Sequence, residues 1–280
     1  MANFQQAHQY GHAEARQKIK EVQAEMERRK NLIYKLPNGG GDLEFVWVPG
    51  GVLTMEGGHQ VTLKEFRISK YPITQRQYHA IMGNNPSHFT ANLVASEELK
   101  PIDSGNKIDR PVEPGKISKF DRPVEQVTWQ DACNFCTALS GQDYMGKQTV
   151  SLPSETQWEW AARGATKSKG YIYAGSQDLN TVGWYDQNSK GKTHPVGQKT
   201  ANELEIHDMS GNAWEWCMDN WQGSMNVLPK DGTPLASGGN SSAHTVRGGA
   251  CLSSSSNCTV SYRGNFISSY VNIGFRVVLC

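Results

Sequence analysis

The stretch HDMSGNAWEWCMDNW, residues 207–221, alternates tryptophans with polar or small side chains around an acidic residue. Successive side chains of an extended strand point to opposite faces, so Trp214 and Trp216 share one face and Glu215 lies on the other. Large aromatic side chains at this spacing are usually buried. We therefore predict a strand whose tryptophans belong to the core rather than to a ligand site.

Composition limits the class of protein that can contain this strand. The 280 residues carry a formal net charge of +1 at pH 7, so no overall field attracts nucleic acid or an anionic membrane, and we expect no nucleic-acid partner. The chain has no run of about 18 apolar residues that could span a membrane. It also lacks the charged and then apolar N-terminal pattern of an export signal. We expect a soluble chain that buries a substantial core.

The cysteines are interpreted as core residues. Six of them, unevenly spaced, are too few to staple a chain of this size with disulfides. Cys133 and Cys136 form a CxxC pair, but Ala132, Phe135, Cys136 and Leu139 recur at helical spacing. No second CxxC or histidine pair completes a tetrahedral metal site. Cysteines on the apolar face of a helix usually pack as small hydrophobic residues.

The N-terminal part predicts a separate helical element. Residues 10–33 are charged and helix-forming, with an apolar stripe at heptad-like spacing that comprises Ile19, Val22, Met26 and Ile33. A glycine-rich break from Pro37 to Asp42 follows. We assign residues 1–40 to an N-terminal helical segment and linker, and residues 41–280 to one domain. The stripe could mediate self-association or dock on that domain, so the oligomeric state stays open.

Short strand-like runs separated by glycines begin at Glu44, and helices follow them without a βαβ rhythm. This mixture predicts an α+β fold. Capping boxes mark three helix starts, at Thr74 with Gln77, at Thr128 with Asp131 and at Ser154 with Gln157. The sequence DRPVE occurs at 109–113 and again at 121–125. We expect one copy to lie in an inserted surface loop.

Five ordered motifs resemble successive signatures of the formylglycine-generating enzyme (sulfatase-modifying factor) family. They are SKYPITQRQYHAIMGNNPSHF (69–89), RPVEQVTWQDACNFCTALS (122–140), VSLPSETQWEWAARGA (150–165), HDMSGNAWEWCMDNW (207–221), and VRGGA with GFRVV (246–250 and 274–278). The resemblance covers about Phe45 to Leu279. It implies an elaborated C-type-lectin-like fold with little regular secondary structure.

The resemblance does not by itself assign an activity, because one fold hosts many sites. Enzymes of this family oxidise a substrate cysteine with two cysteines that bind copper(I), a metal that suits soft thiolates. The matching positions here are Ser253 and Cys258, and a hydroxyl cannot replace a thiolate. No acidic residue follows Asp231, and His244 is the nearest histidine, so other catalysis is also disfavoured. We predict a protein that is not an enzyme and needs no cofactor.

Some family members hold calcium through asparagine side chains and backbone carbonyls, since hard cations prefer oxygen ligands. Asn202, and less surely Asn180, match such positions. The resemblance therefore implies a structural calcium site as one alternative.

The C-terminal segment Ala250–Ile273 contains no Lys, Glu, Gln, Met or Trp. These are the amino acids that no codon ending in C encodes. Asparagine codons AAC, mutated at their adenines, yield the remaining residue types and no stop codon. The pattern is similar to the variable region of diversity-generating retroelement proteins, of which a treponemal surface protein is one with this lectin-like fold. The segment, about 250–273, is the predicted variable region.

We predict that this variable region binds a ligand. Tyrosine and phenylalanine add contact area at low entropic cost, while serine and asparagine adapt to a partner. The predicted ligand-binding residues are Ala250, Cys251, Leu252, Ser253, Ser256, Tyr262, Phe266, Ile267, Tyr270 and Ile273. A solvated loop between two core strands explains the serines equally well, but it explains the interspersed apolar residues less well.

The expected partner is an unknown protein or other macromolecule. The expected location is the cell surface, as an outer-membrane lipoprotein whose signal has been removed, with a cytoplasmic protein as the alternative. The competing function is a formylglycine-generating oxidase or a catalytically degenerate relative of it.

Overall fold

The computed structural model describes residues 15–23, 29–90 and 121–279. The chain divides into two compact units, Met1–Leu32 and Ile33–Cys280. In the first unit residues 15–23 are helical, and the side chains of Ile19 and Val22 are exposed. Met26 and the DRPVE copy at 109–113 lie outside the described residues.

The N-terminal stripe ends earlier than the sequence predicted. Ile33 lies in a strand, Leu32–Leu36, and not on a helix. The side chains of this strand alternate between partly buried and exposed positions, and Tyr34 packs edge-on against Phe45 of the next strand at 5.9 Å. Pairing with that strand takes precedence over helix propensity here. The boundary between the two compact units falls at 32/33, and the assignment of residues 1–40 to an N-terminal segment stays a prediction.

Mixed helices and strands confirm the α+β prediction, and loops and short 3-10 turns join the elements. The strands are β1 (Leu32–Leu36), β2 (Gly41–Val48), β3 (Gly51–Thr54), β4 (Gln60–Leu63), β5 (Phe66–Ser69), β6 (Val150–Ser151), β7 (Trp214–Trp221), β8 (Asn240–Arg247), β9 (Arg263–Phe266), β10 (Ile273–Gly274) and β11 (Val278–Leu279). The helices are α1 (Gln75–Met82), α2 (Trp129–Ser140), α3 (Glu155–Ala162) and α4 (Leu179–Val182).

Two larger sheets organise the second unit. The first has the strand order β1-β2-β5-β11-β6, in which β11 pairs antiparallel with both β5 and β6. The second has the order β10-β7-β8-β9, with β10 parallel to β7 and the other pairs antiparallel. The variable region joins the two edges of this second sheet, because it contains β9 and ends at β10.

All three predicted capping boxes form. Thr74, Thr128 and Ser154 each accept a hydrogen bond from the backbone N–H three residues later, and the side chain at that later position accepts one in return. Cys136 is buried on α2 together with Ala132, Phe135 and Leu139, as the helical spacing predicted. Phe135 stacks on Tyr78 of α1 at 5.6 Å between ring centroids.

The DRPVE copy at 121–125 is integrated into the core. Asp121 forms an ion pair with Arg76 of α1, Pro123 bridges to Thr74, and Val124 is fully buried. Each of these contacts joins the motif to the start of α1. This copy is therefore part of the scaffold rather than an inserted loop.

Candidate functional site

The tryptophans of β7 form the buried floor of the candidate site. Trp214 is 6% and Trp216 is 1% exposed, which confirms their predicted place in the core. On the opposite face Glu215 accepts hydrogen bonds from the indole of Trp158 at 2.6 Å and from Arg276 at 2.6 and 2.8 Å. The alternation predicted from the sequence is therefore present, and it separates an aromatic face from a charged one.

The ten predicted ligand-binding residues fall into two groups. Leu252, Ser256, Tyr262, Ile267 and Tyr270 are exposed and Phe266 is half-buried, whereas the buried members are Ala250, Cys251, Ser253 and Ile273. Most of the surface of the buried four is covered by the protein itself. Ligand binding by the ten residues stays a prediction.

Backbone geometry explains why the first part of the variable region turns inward. Ser253 N–H donates to the Ala250 carbonyl at 2.9 Å, and Ala250 N–H donates to the Ser253 hydroxyl at 3.0 Å. Cys251 N–H donates to the carbonyl of Asn212, and its own carbonyl accepts from the Ser189 hydroxyl at 2.6 Å. These bonds hold a tight turn against the core, and Leu252 at its tip projects beside Gly191.

The exposed aromatic residues lie over the tryptophan floor. Tyr262 packs on Trp214 with ring centroids 5.8 Å apart. Phe266 meets Trp216 edge-on at 6.4 Å, and Tyr270 stacks on Phe266 at 6.4 Å. The structure thus brings together three of the predicted ligand-binding residues on one face of the second sheet.

Two residues outside the variable region extend this surface. His244 of β8 is the cross-strand partner of Phe266, and directly opposed side chains share a sheet face. The ring of His244 stacks on Trp129 with centroids 3.8 Å apart and planes 2° apart. We define the aromatic face as Trp129, His244, Tyr262, Phe266 and Tyr270. The sequence analysis missed Trp129, because only the β8–β9 register reveals its proximity to the variable region.

The opposite side of β8 and β9 holds buried charges. Arg263 binds Glu155 through two hydrogen bonds, from Nε to Oε1 at 2.5 Å and from Nη2 to Oε2 at 2.8 Å. Arg247 is fully buried, pairs with Glu159, and packs over the ring of Trp158. The guanidinium groups are thus neutralised on the far side of the sheet from the aromatic face.

A buried carboxyl group lies near the turn of the variable region. Glu125 is fully buried, and burial raises its pKa to about 7 although the backbone N–H groups of Phe89 and His88 donate to it. Burial raises the pKa of Cys251 to about 12, and the nearby charge of Glu125 adds to that shift. Burial likewise raises the pKa of Cys258 to about 12. The two buried thiols beneath the variable region therefore carry their protons at neutral pH.

The family model of the sulfatase-modifying factor enzyme 1-like domain matches residues 37–279. The chain belongs to the sulfatase-modifying factor family. This match includes the second sheet, every strand of the first sheet except β1, and the whole variable region. The C-type-lectin-like fold expected from the resemblance is confirmed by a solved structure, the Treponema denticola variable protein 1. That structure matches with a TM-score of 0.69 and 24% identity, over 89% of this chain and 98% of the other.

Two curated relatives show how varied this family is. A Paenibacillus barcinonensis protein called chaperone protein LppX is 29% identical over 84% of this chain and 89% of its own length. The inactive C-alpha-formylglycine-generating enzyme 2 of Bos taurus is 27% identical over 68% of this chain and 76% of its own length. Membership in the sulfatase-modifying factor family is therefore compatible with more than one function.

The match of Ser253 and Cys258 to the family's copper-binding cysteines stays a prediction, and neither side chain is free in the structure. The Ser253 hydroxyl accepts the Ala250 N–H and so serves the turn. Cys258 is fully buried beside Leu179, Val182 and Tyr185. Across residues 15–23, 29–90 and 121–279, no group of three or more His, Cys, Asp or Glu side chains is arranged to hold a metal ion.

The residues expected to hold calcium, Asn202 and Asn180, form hydrogen bonds within the protein. The amide oxygen of Asn202 accepts the N–H groups of Leu204 and Ile206, and its nitrogen donates to the Ala161 carbonyl at 2.7 Å. The carbonyl oxygen of Asn180 accepts the ammonium group of Lys199 at 2.6 Å. Both oxygens thus accept hydrogen bonds from protein groups, and calcium binding stays a prediction.

Proposed function

We propose that the protein is a non-catalytic binding protein whose ligand is held by the exposed residues of the variable region. The observation that carries this proposal is the aromatic face, where Tyr262 and Tyr270 are 38% and 58% exposed over a rigid tryptophan floor. Ile267, which is 77% exposed, lies in the same segment. Exposed apolar clusters on a rigid scaffold are typical of interaction sites.

The variable region contains both buried scaffold positions and exposed surface positions, which supports a binding site whose exposed residues can be replaced. Ala250, Cys251, Cys258 and Ile273 are fully buried, so they anchor the segment while the exposed positions between them can change. Replacement of an exposed side chain usually changes stability by less than about 0.5 kcal/mol. A sequence that varies only at exposed positions would therefore keep the fold and alter the ligand.

The genomic test is direct. If the proposal is right, the locus contains a near-identical template repeat with adenines in the codons for the variable region, next to a reverse transcriptase gene. A complete locus without such a repeat contradicts diversification.

A formylglycine-generating oxidase is the second candidate, and family membership together with Cys258 favours it. The purified protein, loaded with copper(I), should be incubated with a cysteine-containing sulfatase peptide, and the aldehyde product measured by mass spectrometry. We expect no aldehyde above a control without enzyme. Copper-dependent aldehyde formation would overturn the non-catalytic proposal.

Display on the cell surface is part of the same proposal, because a diversified ligand site is useful where it meets other macromolecules. Within the described residues no helix is long and apolar enough to cross a membrane. Protease treatment of intact cells should remove the protein if it is displayed. Full protection of the protein in intact cells, with digestion after lysis, would support the cytoplasmic alternative.

A further inference from the structure

The Trp129–His244 stack adjoins the variable region but does not belong to it. Trp129 is the first residue of α2, and its indole N–H donates to the carbonyl of Cys217 at 2.9 Å. His244 lies on β8, opposite Phe266 of the variable region. Both rings are only partly buried. A rigid aromatic pair that retains solvent-facing area next to Phe266 is available to any ligand that contacts Phe266 and Tyr270.

Gly264 lets β9 pack closely on the floor of the aromatic face. A Cβ atom at Gly264 would lie 3.0 Å from Val246 Cγ2 and 3.6 Å from the ring of Trp214, so these two side chains already fill the space at this position. Tyr262 and Phe266 lie two residues to either side of Gly264, and their rings pack on Trp214 and Trp216. A partner would therefore contact the exposed sides of these rings above a filled apolar floor.

The chemistry of the aromatic face defines the kind of partner. The face consists of aromatic rings, and the neighbouring cations Arg247 and Arg263 are paired with Glu159 and Glu155 on the opposite side of the sheet. A polyanion such as nucleic acid would find no cation there, since phosphate binding depends on lysine and arginine. A neutral apolar surface of a folded protein matches the aromatic face in charge and can exclude water from it.

We infer that the Trp129–His244 stack is a permanent part of the binding surface, shared by all sequences of the variable region, and that the partner is a protein that places a neutral apolar surface against it. The inference rests on the proposed function and adds to it a fixed contact. Specificity then comes from the exposed variable residues, while the stack supplies the same aromatic area to each ligand.

The test uses a displayed library of the full chain in which positions 262, 266, 267 and 270 are randomised. The library is selected for binding to lysozyme, which serves as a defined folded protein. Selected clones then receive Trp129→Ala or His244→Ala, and Kd is measured. We expect a loss of at least tenfold for either change in most clones, whatever their variable sequence. The matched control is Trp184→Ala, because Trp184 also stacks on a histidine, His194, at 3.8 Å but lies outside the aromatic face.

Oxidative footprinting provides a readout that needs no substitution. Trp129 in each selected clone should be protected from hydroxyl radicals when lysozyme is bound, with Trp184 unchanged. The inference fails if Trp129→Ala leaves the Kd of the binders unchanged and if bound lysozyme does not protect Trp129. The proposed function still stands in that case, provided that the binders lose affinity when their selected residues are reverted. If a folded library yields no binder, the proposed function itself fails. Saturable binding of a neutral oligosaccharide by clones that do not bind proteins would contradict the inference that the partner is a protein.

Discussion

Arg263 and Glu155 are 108 residues apart in the sequence and form a two-pronged ion pair beneath the binding surface. The carboxyl side chain of Glu155 is fully buried and the Arg263 side chain is 8% exposed. Arg263 lies inside the predicted variable region, yet its contacts are those of a scaffold residue. This pair fixes β9, and with it the positions of Tyr262 and Phe266.

Arg263→Ser should destabilise the protein by about 3 kcal/mol, because it leaves a buried carboxylate with one remaining cation, Arg247, at 3.7 Å. The control is Asn265→Ser on the same strand, where the side chain is exposed and the expected change is within about 0.5 kcal/mol. Urea denaturation of both variants measures the free energy of unfolding. Equal stabilities would mean that the ion pair does not hold β9.

Natural variation should follow the same division between surface and scaffold. In a template repeat, we expect adenine-bearing codons at positions such as Leu252, Tyr262, Ile267 and Tyr270, whose side chains are exposed. We expect no adenine-directed change at Arg263, because losing the cation would unfold part of the population. Sequencing the locus from many cells checks this, and frequent replacement of Arg263 would contradict it.

Glu125→Gln should change how stability depends on pH. The pKa of Glu125 is about 7 in the folded protein against 4.5 ordinarily, so the folded state binds a proton more tightly than the unfolded chain. Its contribution to stability is therefore present below about pH 4.5 and is lost as pH rises to about 7. The glutamine variant should be more stable than wild type at pH 8, by on the order of 1–3 kcal/mol.

Thermal unfolding of wild type and Glu125→Gln between pH 5 and pH 8 measures that difference. Burial raises the pKa of Asp219 to about 6, which lies in this range, so only the difference between the two proteins reports on Glu125. A difference that stays constant with pH would show that the Glu125 carboxyl does not titrate near neutrality.

Local patterns predicted the helix starts and the strand of tryptophans, because capping boxes and alternation depend on residues close in sequence. The turn at Ala250–Ser253 was not predictable in this way. Its inward direction depends on hydrogen bonds to Asn212 and Ser189, and serine-rich sequence equally suits an exposed loop. The aromatic face was predicted only in part, since Trp129 joins it through the β8–β9 register.

Removal of calcium should leave the stability of the protein unchanged. The Lys199 ammonium group binds the Asn180 carbonyl and lies 4.1 Å from the centroid of the Trp184 ring, so a cation already occupies that position. We expect the same Tm in EDTA and in millimolar calcium. Lys199→Ala should lower stability by about 1 kcal/mol through loss of the hydrogen bond and the cation–π contact. Lys147→Ala, at an exposed turn, is the control and should have little effect. A rise in Tm on adding calcium to the wild-type protein would show that the protein holds this ion after all.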